Sequence, residues 1–172
     1  IIMAETLLLL FNNEKLQTEL EARGITCLRP EKEIYQRMRY LFVSSLYSKE
    51  MLLKSVFTNI IGNGTKSHIK NNTVRPTIEI HVSHTEEYLV ITIADNGPGF
   101  PNDILPQIYQ TEIASSDNSD RPRKGKGTLL AGQMVRDCGG KIEAHNRPSG
   151  GAETIIYFPL ITPEHFAAGH TV

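Results

Sequence analysis

The stretch EYLVITIADNGPGF, residues 87–100, carries the most informative pattern in the chain. Its first part, residues 87–94, is an apolar run rich in β-branched side chains, which predicts a strand buried on both faces. The run ends on Asp95, and the Asn, Gly, Pro and Gly that follow predict a turn. A carboxylate in such a place is costly unless it is hydrogen-bonded, and glycines let a backbone approach a ligand closely. The stretch indicates a binding site, with an Asp that only caps the next helix as the alternative.

The segments around this stretch predict the rest of a sheet. Residues 77–84, TIEIHVSH, alternate apolar and polar side chains and pair naturally with residues 87–94 as an antiparallel hairpin. Three further short strands are predicted at residues 25–30, 41–45 and 141–146, and a last one at residues 153–160.

Helical spacing of apolar residues marks the remaining elements. We predict a leading helix within residues 1–22, a central helix over residues 49–69 and a third over residues 129–138, with a short helix near residues 103–109. The sum is an α+β fold, a mixed sheet with helices over one face.

Composition limits the classes of function. The 172 residues, 40% hydrophobic and 22% charged, suit one globular domain. A net charge of −1 argues against binding nucleic acid or an anionic membrane through bulk charge. The apolar run at residues 7–11 is far shorter than the roughly 18–20 residues of a membrane span. Cys27 and Cys138 lack metal-ligand spacing and fit reduced thiols in a cytoplasmic protein, with a disulfide as the alternative.

Two further features point to a ligand with phosphate groups. Asn59, Asn63 and Lys66 lie on one face of the central helix, where amide oxygens could hold a hydrated Mg²⁺ and the lysine could neutralise phosphate. Alone, Asn residues near a helix end are more often caps. Further along, RKGKGT, residues 123–128, places glycines before a helix start, which favours an anion. Asp95 fits with these features because a carboxylate can accept a hydrogen bond from an exocyclic amine such as that of adenine.

These motifs, taken in order, resemble a known family. NxxxNxxK at residues 59–66, DNGPGF at 95–100, GKG at 125–127 and GGKIEAHNRPSGGAETIIYFPL at 139–160 are similar to the ATP-binding catalytic domain of bacterial sensor histidine kinases, in the GHKL ATPase superfamily. The resemblance implies a two-layer α/β sandwich of the Bergerat type that binds ATP and Mg²⁺. It also implies one domain over residues 1–172, with an ATP lid at residues 110–127 and a flexible tail at residues 161–172.

The resemblance assigns roles to matching residues. Asn63 corresponds to the Mg²⁺ ligand, Asn59 to the position facing the attacking side, and Lys66 to the lysine near the phosphates. Asp95 corresponds to the carboxylate that reads the adenine amine, with Gly97 and Gly99 letting the turn pass close to the base. The remaining nucleotide-binding candidates are Ile108 and Tyr109 at the lid-anchoring pair, Lys124, Gly125, Lys126, Gly127 and Thr128 at the second glycine box, and Thr154 near the adenine threonine position.

Several positions depart from the family pattern. The second glycine box has Arg123 in place of its first glycine and Lys126 in place of its leucine. Gly64 stands where alanine is usual, Gly132 interrupts the following helix, and Ala152 replaces the threonine near adenine. These departures favour weak nucleotide binding or a degenerate kinase.

The implied function is a kinase catalytic domain with two protein partners. It would transfer the γ-phosphate of ATP to a histidine on a dimerisation domain absent from this chain, and onward to a response regulator. None of the six histidines has the phosphoacceptor context, and we expect most of them at the surface or in turns. The alternative is a non-catalytic GHKL scaffold that binds a partner protein, and an anti-sigma serine kinase is a third.

Overall fold

A five-stranded sheet forms the centre of the molecule in a computed structural model that describes residues 2–43, 50–110 and 126–161. Its strands run in the spatial order β2-β4-β5-β7-β6. Their bounds are β2 Thr26–Leu28, β4 Thr77–His84, β5 Tyr88–Asp95, β6 Lys141–Asn146 and β7 Ala152–Pro159.

Pairing in this sheet is mixed and mostly antiparallel. The β4–β5, β5–β7 and β6–β7 pairs are antiparallel, while β2 runs parallel to β4. The register opposes Ile78 to Asp95 and Ala94 to Glu153, so that the end of β5 lies between the start of β4 and the start of β7. The predicted α+β fold with a mixed sheet is confirmed.

The prediction that the strand ending at Asp95 is buried on both faces is wrong. Along β5, Leu89, Ile91 and Ile93 are buried, while Val90 and Thr92 between them are only half-buried. Successive side chains of a strand point to opposite faces, so the second face of the sheet is partly open.

Two helices pack over the buried face. The central helix α4, Glu50–Asn71, contacts α5, Lys126–Asp137, and together they cover the sheet. Their apolar side chains join those of the sheet in one core. This core includes Val56, Phe57, Ile60 and Ile61 of α4, Ala131 and Val135 of α5, and Ile80, Ile91, Ile156 and Phe158 of the sheet.

The leading segment is not a continuous helix. It consists of β1 Ile2–Met3, α1 Ala4–Leu9, a 3₁₀ turn at Leu10–Asn12 and α2 Glu14–Glu21. Asn13 breaks it, because its backbone is extended at ψ 112 and its side-chain oxygen accepts a hydrogen bond from the Lys15 amide. This is the geometry of an N-cap, which periodicity of apolar residues does not report.

Smaller elements complete the described chain. β3, Phe42–Val43, pairs with β1, and α3, Lys32–Met38, lies between β2 and β3. The short helix predicted near residues 103–109 is a 3₁₀ turn at Leu105–Gln107. Most of the predicted lid and nearly all of the predicted tail lie outside the described residues.

Within the described ranges, none of the helices is both long and apolar enough to span a bilayer. Cys27 and Cys138 do not form a disulfide. Burial raises the pKa of the half-buried Cys27 thiol, and the nearby positive charge of Arg29 opposes that rise.

Candidate functional site

The end of β5 faces the middle of α4. An ideal Cβ built on Gly64 of α4 would lie 3.5 Å from Asp95 Oδ2, and one built on Gly97 would lie 3.0 Å from Asp95 Oδ1. Two glycines therefore flank the carboxylate, one on the helix and one in the turn. This arrangement brings the predicted turn and the predicted helix face into one site.

The two oxygens of Asp95 have different surroundings. Oδ1 accepts hydrogen bonds from the backbone amides of Gly97, at 2.8 Å, and Ala152, at 3.1 Å. Oδ2 receives no hydrogen bond from any described residue, although Asp95 is only 9% exposed. Oδ2 is not among the fully buried unpaired atoms of the described residues, so it is an acceptor that an incoming donor can reach. The charge is tolerated at the end of a core strand because two backbone amides stabilise Oδ1, and Oδ2 is left for a ligand.

Asn96 fixes the first half of the turn. Its side-chain oxygen accepts from the Thr77 amide at 2.8 Å, and its side-chain nitrogen donates to the Arg75 carbonyl at 3.0 Å. The turn is thereby tied to the segment that enters β4.

Asn146 fixes the second half. Its amide oxygen accepts from the Phe100 amide at 2.7 Å, and its nitrogen donates to the Phe100 carbonyl at 2.8 Å. Gly99, at φ +81, lies next to the Asn146 side chain, and a Cβ there would lie 2.7 Å from the Asn146 oxygen. Both the left-handed backbone and the close approach require glycine at this position.

Gly151 lets β7 begin directly against Asp95. It has φ +100, and a Cβ there would overlap the Asp95 carbonyl oxygen. Arg147 lies beside the same carbonyl, with Nη1 at 3.4 Å from that oxygen and 3.5 Å from Glu79 Oε1. The loop from Arg147 to Gly151 therefore supports the backbone of the carboxylate.

Tyr109 and Thr154 form a buried polar pair behind the site. Their hydroxyl oxygens are 2.7 Å apart, and both residues are 2% exposed. Burial raises the pKa of Tyr109 to about 12, with the Asp95 charge adding to the rise and the Thr154 hydrogen bond opposing it. One hydroxyl donates to the other, and the accepting hydroxyl keeps its own O–H. Ile108, the other predicted lid anchor, is likewise in the core.

Gly132 has a packing reason that the sequence did not reveal. A Cβ on this residue would overlap the carbonyl oxygen of Tyr109, which also accepts a hydrogen bond from Arg136 at 3.0 Å. The glycine lets α5 pack directly on the left-handed backbone of Tyr109, at φ +67. Gly132 therefore serves helix packing, which accounts for this departure from a good helix former.

The predicted phosphate-side residues lie along the open flank of α4. Asn59 is half-buried, and its Oδ1 would lie 3.3 Å from a Cβ on Gly127 at the start of α5. Asn63 and Lys66 are exposed and make no hydrogen bond or ion pair with a described residue. Asn59 therefore lies beside the start of α5, and Asn63 immediately precedes Gly64, the residue that faces the carboxylate.

Part of the predicted second glycine box lies outside the described residues. Lys124 and Gly125 fall there, and only the backbone of Lys126 is described, at the first position of α5. Gly127 and Thr128 are half-buried in the first turn of that helix.

The sequence did not identify five residues that shape the site: Asn96, Asn146, Arg147, Gly151 and His68. Four of them lie in quoted motifs, DNGPGF and HNRPSGGA, where no role was assigned to them. Among the four histidines in the described residues, His81, His84 and His145 are exposed as expected, and His68 is the exception, 2% exposed within α4. Its position one helical turn after Gly64 was the available signal.

A metal at this site would need ligands beyond charged side chains. In the described part of the chain, no three His, Cys, Asp or Glu side chains are grouped as a metal site. An exposed Asn amide oxygen suits Mg²⁺, which takes oxygen ligands and usually keeps several waters. Asn63 fits that requirement.

Comparison with known proteins agrees with this geometry. Residues 48–162 match the family model described as histidine kinase-, DNA gyrase B-, and HSP90-like ATPase. The matched range contains α4, the glycine turn, α5 and the last two strands.

Curated relatives are sensor kinases. The chain is 32% identical over 110 residues to the signal transduction histidine-protein kinase AfsQ2 of Streptomyces coelicolor, which covers 62% of this chain and 19% of that protein. It is 37% identical over 103 residues to the sensor protein KdpD of Clostridium acetobutylicum, which is 59% of this chain and 11% of that protein. It is 29% identical over 118 residues to the sensor histidine kinase CpxA of Escherichia coli, which is 67% of this chain and 24% of that protein. The chain thus spans a quarter or less of the length of these relatives.

Solved structures share the fold. The catalytic domain of the histidine kinase ThkA matches with a TM-score of 0.64 at 18% identity, covering 92% of this chain and 94% of that one. The mycobacterial sensor histidine kinase MprB matches with a TM-score of 0.61 at 16% identity, covering 93% and 97%. With the family model matching two thirds of the chain, this protein belongs to the histidine kinase-, DNA gyrase B- and HSP90-like ATPases, as an ATPase domain of the sensor histidine kinase type.

Proposed function

We propose that this chain binds Mg·ATP and positions its γ-phosphate for transfer to a histidine on a dimerisation domain, from which a response regulator receives it. The observation that carries the proposal is the division of the Asp95 carboxylate. Oδ1 is held by the amides of Gly97 and Ala152, while Oδ2 remains as a partly buried acceptor next to Gly64.

Oδ2 suits the exocyclic amine of adenine. The amine donates and a carboxylate oxygen accepts, and a hydrogen bond to a charged group contributes about 1.5–3 kcal/mol. Because Oδ1 is fixed by two backbone amides, the carboxylate has little freedom to lose when the base binds. Gly64 and Gly97 leave the flanks of the carboxylate without side chains.

The open flank of α4 suits the phosphates. Asn63 would hold Mg²⁺, which when bound neutralises charge on the phosphate oxygens. Lys66, exposed and unpaired among the described residues, would contact the same phosphates, and Asn59 would face the attacking side near Gly127. Phosphoryl transfer needs mainly positioning and charge neutralisation, and these side chains supply both.

The first test is binding of ATP to the wild-type chain and to Asp95→Asn. The variant amide oxygen can replace Oδ1 and accept from Gly97 and Ala152, while its nitrogen replaces Oδ2 and opposes the adenine amine. We expect ATP to raise the Tm of the wild type and a loss of at least about tenfold in affinity for the variant, measured by calorimetric titration with and without Mg²⁺.

Asp103→Asn is the matched control, because it removes the same charge from an exposed position after the turn. It should bind ATP as the wild type does. Equal affinity of Asp95→Asn and Asp103→Asn would contradict the role of Asp95. Absence of any Tm shift at millimolar ATP would instead favour the non-catalytic scaffold, for which the altered second glycine box is the sequence argument.

The second test separates binding from transfer. With γ-labelled ATP and Mg²⁺, the chain alone should bind nucleotide but retain no label, because none of its histidines has a phosphoacceptor motif. Label on a histidine of this chain would contradict the proposed division between the catalytic and dimerisation domains.

A further inference from the structure

The second face of the sheet leaves the side chains of four adjacent strands exposed or half-buried. It consists of the odd-numbered residues 79–83 of β4, 141–145 of β6 and 153–159 of β7, and of the even-numbered residues 88–92 of β5. The residues that alternate with them are buried or pack against the core. We call this surface the open face.

The centre of the open face is apolar. Tyr88 and Tyr157 pack edge to face there, with their ring centroids 6.1 Å apart. The strand register places Val90 opposite Tyr157 and Thr92 opposite Ile155. Because these side chains are half-buried in a single chain, a second surface laid over them would remove more apolar area from water.

Two glutamate–histidine pairs flank this centre in opposite orders. On β4, Glu79 Oε2 lies 3.4 Å from His81 Nε2, and on β6, Glu143 Oε2 lies 3.3 Å from His145 Nε2. Through β5 and β7, the registers place His81 in one row across the sheet with Glu143. They place Glu79 in the next row with His145. Each row therefore carries a histidine on one strand and a glutamate on the other.

This pattern is self-complementary under a two-fold axis that runs along the strands between β5 and β7. Such an axis lays β4 of one copy over β6 of a second copy and keeps each row facing itself. His81 then faces Glu143 of the second copy, and Glu79 faces its His145. By symmetry the arrangement forms four glutamate–histidine pairs between the copies.

Packed sheets tolerate this register. Aligned sheets lie about 10 Å apart with strand directions about 30° from each other. At β4 and β6, about 7 Å from the axis, that angle displaces facing residues by about 4 Å, less than the roughly 7 Å between successive residues on one face. The same axis lays Val90 over Tyr157 of the second copy and Thr92 over its Ile155, so the apolar centre is covered as well.

A charged imidazole suits these positions. It has two N–H donors, one for the glutamate on its own strand and one for the glutamate of the second copy. His81 has Glu79 beside it on β4. His145 has Glu143 beside it on β6 and Glu153 opposite it on β7. Mildly acidic solution, in which imidazole is charged, is therefore the condition in which the contact is best examined.

We propose that the open face is an interface between two copies of this chain, related by a two-fold axis along the strands. The interface goes beyond the proposed nucleotide binding and does not depend on it, because the Asp95 side chain points to the opposite, helix-covered face. The open face measures roughly 20 Å by 25 Å, which is small for a protein interface, so we expect a dissociation constant of about 10–100 µM.

The contact between His81 and Glu143 offers the sharpest test, because Glu79 in the other pair also lies 3.5 Å from Arg147 of its own chain. The His81 and Glu143 side chains are 69% and 49% exposed. His81→Glu sets two carboxylates against each other across the interface, and Glu143→Lys sets an ammonium against an imidazole. Each variant alone should associate about tenfold more weakly than the wild type in sedimentation equilibrium at about pH 6.

An equimolar mixture of the two variants should regain the association of the wild type. In the mixed dimer the new carboxylate faces the new ammonium, and the unchanged His81 of one copy faces the unchanged Glu143 of the other. Repulsion within one chain cannot produce this rescue, since the two substitutions are in different molecules. A mixture that associates no better than its components would overturn the proposal, as would a wild type that remains monomeric at millimolar concentration.

A substitution at the centre supplies an independent test. Ile155→Lys should abolish association, while Val74→Lys, 82% exposed in the loop before β4, is the matched control and should associate as the wild type does. Equal association of the two variants would contradict the interface. Should Ile155→Lys fail to fold, the mixture of the other two variants decides. Calorimetric titration with ATP should give wild-type affinity for every folded variant, which keeps this test separate from that of the proposed function.

Discussion

The two ends of the candidate site are organised in opposite ways. At the base end, residues 95–100 are tied to β4 by Asn96, to the start of β7 by Asp95 and to β6 by Asn146. At the phosphate end, Asn63 and Lys66 are exposed and have no partner among the described residues.

The difference indicates that the base end is ordered by folding, whereas the phosphate end contributes mainly to binding. The base end is built during folding, so a rigid acceptor awaits the ligand and little entropy is lost on binding. Under the proposed function, Asn63 and Lys66 at the phosphate end would be ordered only when metal and phosphate bind. Substitutions at the base end should therefore destabilise the fold, whereas those at the phosphate end should affect only binding.

The largest expected effect comes from Gly151→Ala. Its φ of +100 disfavours any side chain, and its Cβ would overlap the Asp95 carbonyl oxygen. We expect a loss of about 3 kcal/mol or more in the free energy of unfolding, measured by urea denaturation. Gly150→Ala is the control, since Gly150 has φ +91 but no atom within 4 Å of its Cβ position, and should lose only about 1–2 kcal/mol. Equal losses would show that the contact with Asp95 is unimportant.

Asn146→Ala should have the next largest effect. It removes the hydrogen bonds at 2.7 Å and 2.8 Å that hold both backbone groups of Phe100. We expect a loss of about 1–3 kcal/mol in unfolding free energy together with weaker ATP binding. His145→Ala is the control, because that neighbouring side chain is exposed and, among the described residues, pairs with Glu143 alone. A fully stable Asn146→Ala variant would contradict the account of a turn fixed in advance.

Alkaline pH should destabilise the fold through Tyr109, which pairs with Thr154 behind the base end. The pKa of Tyr109 is raised from 10 to about 12, so the folded state holds the proton more tightly than the unfolded state. Stability from this group is complete below pH 10 and is lost as the pH rises toward 12. Between pH 9 and pH 11 we expect the free energy of unfolding to fall by about 1 kcal/mol more in the wild type than in Tyr109→Phe. An identical fall in both proteins would exclude Tyr109 as the cause.

The smallest effect on stability is expected for Asn63→Ala. The side chain is exposed and makes no hydrogen bond with a described residue, so unfolding free energy should change by no more than about 0.5 kcal/mol. Its effect should appear in binding, as a loss of the Mg²⁺-dependent part of ATP affinity in calorimetry. Gly62→Ala, at a neighbouring helix position with no atom within 4 Å, should leave that part unchanged. A large loss of stability in Asn63→Ala would remove the contrast between the two ends.

Local patterns in the sequence predicted most of the fold. Strict apolar alternation identified β4 over the same residues as the structure, and three-and-four spacing placed α4 within two residues at each end. The leading helix was wrong because a single side-chain cap, Asn13, ends one helix and starts another without disturbing apolar spacing. Burial of β5 was overestimated because an apolar run does not distinguish a covered face from a half-open one.

The candidate site could be predicted only where it is local. Asp95, Gly97 and Gly99 follow one another, so one motif revealed them. Asn146 lies 46 residues from Phe100, and the pairing of β5 with β7 decides that Gly151 meets Asp95. Such partners depend on strand register, which the sequence motif does not contain. His68 was missed because its burial beside Gly97 becomes visible only when its surroundings are known.

The most direct test is a crystal structure of the chain with Mg²⁺ and a non-hydrolysable ATP analogue. The account predicts the adenine amine at about 2.8–3.0 Å from Asp95 Oδ2, with Oδ1 still accepting from the amides of Gly97 and Ala152. A base bound away from Asp95, or one that displaces the amides from Oδ1, would contradict it.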